Sequence, residues 1–338
     1  MPSDPSLSQS LSSYFLPQAQ ISSLGEPFSA ELLRQALLAE SELSDTLLQH
    51  QKNYQTFYGL HDLPASYYQQ GCCRSSSYDV FYQIWRPLST VDTKGTFYLV
   101  HGYYDHSALY RYLISGLLEQ GFVVVALDLP GHGLSSGPRA SIITFEQYTK
   151  ALWQVIQSTS PQLPEPFSLI GQSTGGAILI DWWLNSGYQK RVNIQKTVLL
   201  SPLVKPCNWQ QGLLSYYLLS PFISRIKRGY SKNSHNESFL GFLQDDPLQP
   251  RHLAVDWVGA LKNWIPRIEN AKPVSNSVLI LQGGEDKTVD WRFNTRLLAQ
   301  KFPQAQISYF PEARHHLVNE SRDIRQQCFN RLWHFLSD

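Results

Sequence analysis

Residues 171–175 read Gly-Gln-Ser-Thr-Gly, followed by Gly176 and preceded by a short apolar run at 167–171. A serine raised on a sharp turn between a strand and a helix needs neighbours without side chains, because strand and helix must approach closely behind it. Ser173 is therefore a candidate nucleophile, and the start of the following helix favours negative charge beside it. A serine hydroxyl attacks poorly until a base takes its proton, and the base needs a third group to fix its tautomer. Where the serine comes first in such a chain, the acid follows a later strand and the histidine follows the last one. The run 277–282 is followed by Gly-Gly-Glu-Asp, and Asp286 is the predicted acid. Glu285 and Asp290 stay open as alternatives, with Asp286 then capping the next helix. After the run 306–310, His315 and His316 stand side by side; neighbours in a loop cannot both point at Ser173, so one of them is structural. The other histidines considered, His50, His61, His235, His252 and His334, read as solvated or packed. Charge developing on an attacked carbonyl also needs N–H donors, and Thr174 and Tyr103 are the predicted pair. Tyr103 lies in the loop His101-Gly-Tyr-Tyr104, where Gly102 allows a tight turn and His101 reads as a turn residue.

These groups can converge only if strands carry their loops to one edge of a sheet. From about residue 72, short β-branched or aromatic runs alternate with longer helical patterns, the signature of parallel βαβ units. Strands are expected at 79–86, 95–100, 122–129, 167–171, 196–200, 277–282 and 306–310, and helices at 108–120, 145–158, 176–184, 291–301 and 322–336. Several strands are continuous apolar runs, as expected where helices cover both faces. The predicted fold class is α/β, with a mostly parallel central sheet flanked by helices. The rhythm breaks between 205 and 273, where prolines interrupt short apolar pieces; we read an inserted, mainly helical cap there. The core then comprises 71–204 and 274–338. Residues 1–70 form an N-terminal extension in which Leu32, Leu33, Ala36, Leu37, Leu47 and Leu48 suggest one or two helices.

Composition removes several function classes. With 28 Lys and Arg against 27 Asp and Glu in 338 residues, the charge balance argues against a nucleic-acid binder, which needs clustered cations that a balanced chain rarely has. A hydrophobic content of 42% excludes disorder. Cys72, Cys73, Cys207 and Cys328 have neither metal-ligand spacing nor the density of a disulfide scaffold, which favours a reducing compartment. Residues 1–20 contain no Lys or Arg and no continuous apolar stretch, so neither a secretory nor a transit peptide is read there and a cytoplasmic location is expected. The apolar stretch 213–226 is broken by Ser215, Ser220, Pro221, Ser224 and Arg225 and falls short of the ~20 residues that span a bilayer. It can touch a membrane but not cross one. Gly131, Gly133 and Gly137 miss the dinucleotide-binding spacing, and no helix opens there. No cofactor is expected, and no ligand spacing calls for a metal.

Taken together, the motifs resemble the α/β-hydrolase superfamily, and within it the monoacylglycerol lipase, lysophospholipase and serine aminopeptidase-like branch. His101-Gly-Tyr-Tyr-Asp105-His106-Ser107 is similar to that branch's oxyanion loop, with Asp105 in place of the usual Glu. Asp128-Leu-Pro-Gly131-His132-Gly133 resembles the loop after its fourth strand, Gly171-Gln-Ser173-Thr-Gly175-Gly176 its elbow, and Gly283-Gly-Glu-Asp286 its acid loop. His315-His-Leu317-Val-Asn-Glu320 resembles the histidine loop, and its Leu and Glu spacing makes His315 the family's histidine. The resemblance covers about residues 72–338. It implies a serine hydrolase acting on esters of lipids.

The cap bears on the substrate. Between residues 205 and 272, nine Lys and Arg stand against five Asp and Glu, a net +4 in a nearly neutral chain. Trp209, Leu213, Leu214, Phe222, Ile223 and Ile226 end in Arg225, Lys227 and Arg228, an apolar piece with a basic rim that suits an acyl chain and an anionic lipid surface. An aminopeptidase would instead need carboxylates for a substrate ammonium. A peptidase, an acyltransferase and a non-catalytic ligand-binding hydrolase fold remain the competing readings.

Overall fold

The computed structural model describes residues 28–38 and 45–337, so the stretch 1–20, read above for a targeting signal, lies outside the described residues. In chain order the elements are α1 (Ala30–Leu38), α2 (Asp45–Phe57), β1 (Ala65–Ser75), β2 (Tyr78–Pro87), β3 (Gly95–Val100), α3 (Arg111–Glu119), β4 (Phe122–Leu127) and α4 (Glu146–Thr159). Then come β5 (Phe167–Gln172), α5 (Thr174–Asp181), β6 (Ile194–Leu200), α6 (Trp209–Leu219), β7 (Arg225–Lys227), α7 (Glu237–Asp245), β8 (His252–Ala254) and α8 (Val255–Asn270). The chain closes with β9 (Val278–Gly283), α9 (Trp291–Lys301), β10 (Gln306–Phe310) and α10 (Arg322–Ser337).

Eight strands form one sheet in the order β1-β2-β4-β3-β5-β6-β9-β10. From β4 to β10 all neighbours pair in parallel, while β2 runs antiparallel to both β1 and β4. The composition of β4 shows why such strands lack polar residues. Val123, Val125 and Leu127 enter one core cluster and Phe122, Val124 and Ala126 the other, since successive side chains point to opposite faces. Helices α4, α5, α8 and α9 cover the first face, and α1, α2, α3, α7 and α10 the second. The insertion thus contributes to both core clusters, α8 to the first and α7 to the second. Helix α6, which precedes both, buries none of its residues.

Two elements depart from the sequence reading. Strand β1 was not expected: its sequence Ala-Ser-Tyr-Tyr-Gln-Gln-Gly-Cys-Cys-Arg-Ser is mixed and lies at the sheet edge, where only Ser75 is buried. It pairs along β2 from Tyr67 opposite Arg86 to Ser75 opposite Tyr78, through a turn in which Ser76 takes φ 55°. Because β1 starts at Ala65, the sheet begins before the residue-71 boundary read from composition. The expected helix 176–184 is in fact α5 followed by a π-helical turn, Trp182–Ser186, ended by Gly187 at φ 75°.

The extension is tied to the insertion by a buried polar contact. Tyr58 Oη donates to Asp246 Oδ1 at 2.6 Å, and His106 Nε2 meets Asp246 Oδ2 at 2.9 Å. Both side chains of the His106–Asp246 pair are fully buried. Burial alone would lower the His106 pKa, but the Asp246 carboxylate, helped by Asp128, outweighs it and raises the value. The pair's contribution to stability is therefore complete below about pH 6.5 and fades as pH rises through the raised folded value. Asp246→Ala leaves a histidine and a tyrosine hydroxyl buried without their acceptor, and the expected loss is roughly 3–5 kcal/mol. Urea unfolding at pH 6 and pH 9 checks this: the loss should be larger at pH 6, and an unchanged midpoint would refute it.

Candidate active site

The parallel strands deliver their loops to one edge. Strand β5 ends at Gln172, and Ser173 turns the chain with φ 54° and ψ −112°, a backbone conformation non-glycine residues rarely hold. The turn is fixed by Ser173 N–H donating to Leu200 O at 2.9 Å and by Ser173 O accepting from Leu203 and Ala177, each at 3.0 Å. The glycines are required by approach distances. A methyl on Gly171 would lie 2.6 Å from the Gly175 carbonyl carbon, and one on Gly175 would collide with Val100 O.

The loop after β9 carries Asp286 and the loop after β10 carries His315; the two strands are parallel neighbours, so the loops lie side by side. His315 Nδ1 meets Asp286 Oδ2 at 2.7 Å, which places the proton on Nδ1 and leaves Nε2 as the basic nitrogen. Asp286 also accepts from Gln282 Nε2 at 3.1 Å and, through Oδ1, from the N–H groups of Thr288 at 2.8 Å and Val289 at 3.1 Å. Burial alone would raise the Asp286 pKa, but His315 and these two N–H groups hold it below the ordinary carboxylate range. The other two carboxylates have different work. Asp290 caps α9 by accepting from Phe293 N–H at 3.2 Å, and Glu285 faces His235 at 3.6 Å and Arg314 at 3.8 Å. The histidine loop reaches the elbow through Gln172 Nε2, which donates to His315 O at 2.7 Å.

His316 points elsewhere. Its Nε2 meets Asp105 Oδ2 at 3.1 Å, Asp105 Oδ2 accepts from Tyr110 Oη at 2.8 Å, and Tyr110 Oη in turn accepts from Gly102 N–H at 2.9 Å. Burial alone would raise Asp105, but His316, His101 and the Tyr110 hydroxyl hold it well below the usual range. This chain fixes the 101–105 loop beside Ser173: a methyl on Gly102 would sit 3.4 Å from Ser173 Cβ. His101 Nε2 accepts from Leu129 N–H at 2.9 Å, and its Nδ1 meets Gly102 O at 2.7 Å, as befits a turn residue. The sequence reading assigns no role to Tyr110, which lies three residues beyond the 101–107 motif. Among the described residues, no group of three or more His, Cys, Asp or Glu side chains converges as a metal site, and no helix is long and apolar enough to cross a membrane.

The strand order, the covering helices and the strained turn between β5 and α5 are those of an α/β hydrolase. Residues 91–322 match the family described as serine aminopeptidase, S33, and the chain belongs to that family. It is 27% identical to the monoglyceride lipase of Homo sapiens over 264 residues, 75% of this chain and 85% of that one. It is 28% identical to a phospholipase of Bacillus subtilis over 204 residues, 57% of this chain and 76% of that one. Its fold matches a soluble variant of Saccharomyces cerevisiae monoglyceride lipase, solved with a substrate analog, at a TM-score of 0.67 and 18% identity, covering 80% of this chain and 96% of that one.

Proposed function

We propose that this protein is a cofactor-independent serine hydrolase of lipid carboxylic esters, a monoacylglycerol lipase or lysophospholipase. The observation that carries the reading is the Asp286–His315 hydrogen bond of 2.7 Å, set in loops that meet the strained turn at Ser173. In this mechanism Ser173 Oγ attacks the ester carbonyl while His315 Nε2 takes its proton and passes it to the leaving alcohol. Asp286 keeps the Nδ1 tautomer and stabilises the imidazolium. The Tyr103 and Thr174 N–H groups receive the tetrahedral oxyanion, and water then releases the acyl group from Ser173 by the same path. With β1 included, residues 65–204 and 274–338 serve as the core, 205–273 as the cap and the residues before β1 as an extension.

The cap supports a lipid substrate and peripheral contact with a membrane. Leu214 (63%), Tyr217 (61%), Leu218 (62%) and Phe222 (83%) are exposed to solvent, an unusual cost unless an apolar phase covers them. Arg225, Lys227, Arg228 and Lys232 follow, and no Asp or Glu occurs between Cys207 and Asn236. All four cysteines are free, which suits a cytoplasmic site of action. The family's description favours a peptidase as the second reading, with the net-positive cap against it. Hydrolysis of p-nitrophenyl esters from two to sixteen carbons, beside a monoacylglycerol, a lysophospholipid and an amino-acid p-nitroanilide, separates the two, with roughly tenfold preference for long over short acyl chains expected. The anilide cleaved faster than every ester would establish the peptidase.

A further inference from the structure

The two tyrosines after Gly102 are both touched by the cap, and Tyr103 by the core as well. Tyr103 stacks on Trp257 of α8, ring centroids 3.9 Å apart and planes inclined by 23°. Its hydroxyl donates to Ala140 O at 2.7 Å and accepts from Ala254 N–H, at the end of β8, at 3.3 Å. Tyr104 lies under a different part of the insertion, with the Arg228 guanidinium 4.0 Å from its ring centroid. Arg228 is itself anchored, its Nη1 donating to Gln249 Oε1 at 2.5 Å and its N–H to Arg251 O at 3.0 Å. Tyr103 and Tyr104 are the central residues of a turn closed by Asp105 N–H donating to Gly102 O at 3.2 Å. Tyr104 takes φ 72° in it, a conformation that costs of order 1 kcal/mol or more for a residue with a side chain and persists only where surroundings impose it. From the core side the turn is held at its ends, Gly102 and Asp105, by Tyr110. At its tip the cap supplies the Trp257 stack and the Arg228 guanidinium, while the core holds the Tyr103 side chain through Ala140 O and the His132 ring, 5.5 Å away.

We infer that the cap sets the oxyanion hole: Trp257 and Arg228 are positioning residues that act through Tyr103 and Tyr104 on the Tyr103 N–H. The inference rests on the reading of Tyr103 as an oxyanion donor. It has a mechanical consequence. If α8 shifts, the stacked Tyr103 ring is drawn with it against its core contacts at Ala140 and His132, and the N–H of the same residue leaves the line to the carbonyl. A donor displaced by about 1 Å costs up to about a hundredfold in rate, so cap position is read out as turnover and not as affinity for substrate.

The test uses p-nitrophenyl butyrate, too short to need the cap's apolar surface, and an alkyl trifluoromethyl ketone, which forms a tetrahedral adduct with an oxyanion. Trp257→Ala should lower kcat by roughly 10–100-fold with KM within about twofold, and should weaken the ketone by the same factor as kcat/KM. Trp257→Phe, which keeps an aromatic ring against Tyr103, should recover most of both. Arg228→Met should show the same pattern at smaller amplitude, and it carries the test if Trp257→Ala does not unfold cooperatively. A change confined to KM, or a fall in kcat that the ketone does not share, overturns the inference. The underlying reading fails separately, through a wild-type enzyme without esterase activity or a Ser173→Ala variant that keeps it.

Discussion

Replacing Ser173 by alanine is expected to lower ester turnover by about a millionfold and to abolish covalent labelling by a fluorophosphonate. The size follows from the division of labour at the turn. The hydroxyl forms the acyl intermediate, and the neighbours are ill placed to replace it: Gln172 is committed to the His315 carbonyl, the Thr174 side chain is buried at the start of α5, and the flanking Gly171 and Gly175 have no side chains. The residual rate should come from bound substrate and the N–H donors alone, about a thousandfold or more above water. The fold should be untouched, since the turn is fixed by backbone bonds to Leu200, Leu203 and Ala177. Labelling of the alanine variant at the wild-type rate would remove Ser173 from the mechanism.

Asp286→Asn is expected to lower kcat by about ten-thousandfold while KM stays within a few-fold. An amide can donate to His315 Nδ1 and so favours the tautomer whose Nε2 carries the proton and cannot act as a base. Glu285→Gln is the matched control, and its partly exposed contacts with His235 and Arg314 should change kcat by less than about threefold. The substitution also has a pH signature. Because the Asp286 pKa is lowered in the folded protein, its carboxylate stabilises the fold above about pH 4, and that contribution is lost as pH falls through the lowered value. The stability difference between wild type and Asp286→Asn should therefore shrink on acidification from pH 6 to pH 3. Equal turnover by the two proteins would assign the acid elsewhere.

Those two residues stand in loops that a reader of the sequence can find, and the reason is physical. A strand covered by helices on both faces is an unbroken apolar run, as in Val278–Gly283, and the glycine-rich loop that follows it stands out by contrast. An edge strand has no such constraint, which is why β1 with its glutamines and paired cysteines went unread. The residues alone left His315 and His316 open. The distinction lies in partners, since Nδ1 of one meets Asp286 and Nε2 of the other meets Asp105, 211 positions away. The same holds for Tyr103 and Trp257, or Tyr58 and Asp246. Such contacts depend on where α8 and the extension dock, and no local periodicity encodes that.

The Tyr58–Asp246–His106 contact also bears on how the chain finds its structure. Tyr58 and Asp246 are 188 positions apart, and His106 and Asp246 are 140 apart. A contact so distant in sequence closes a long loop and becomes favourable only after the strands between have assembled, since the entropy of closure must be met first. Docking of Tyr58, just after α2, against Asp246 is therefore expected late in folding. Until then the Phe57 and Phe242 rings, 5.3 Å apart in the native fold, lack each other as cover. Overproduction at high temperature should draw chaperones to that aromatic face before any other.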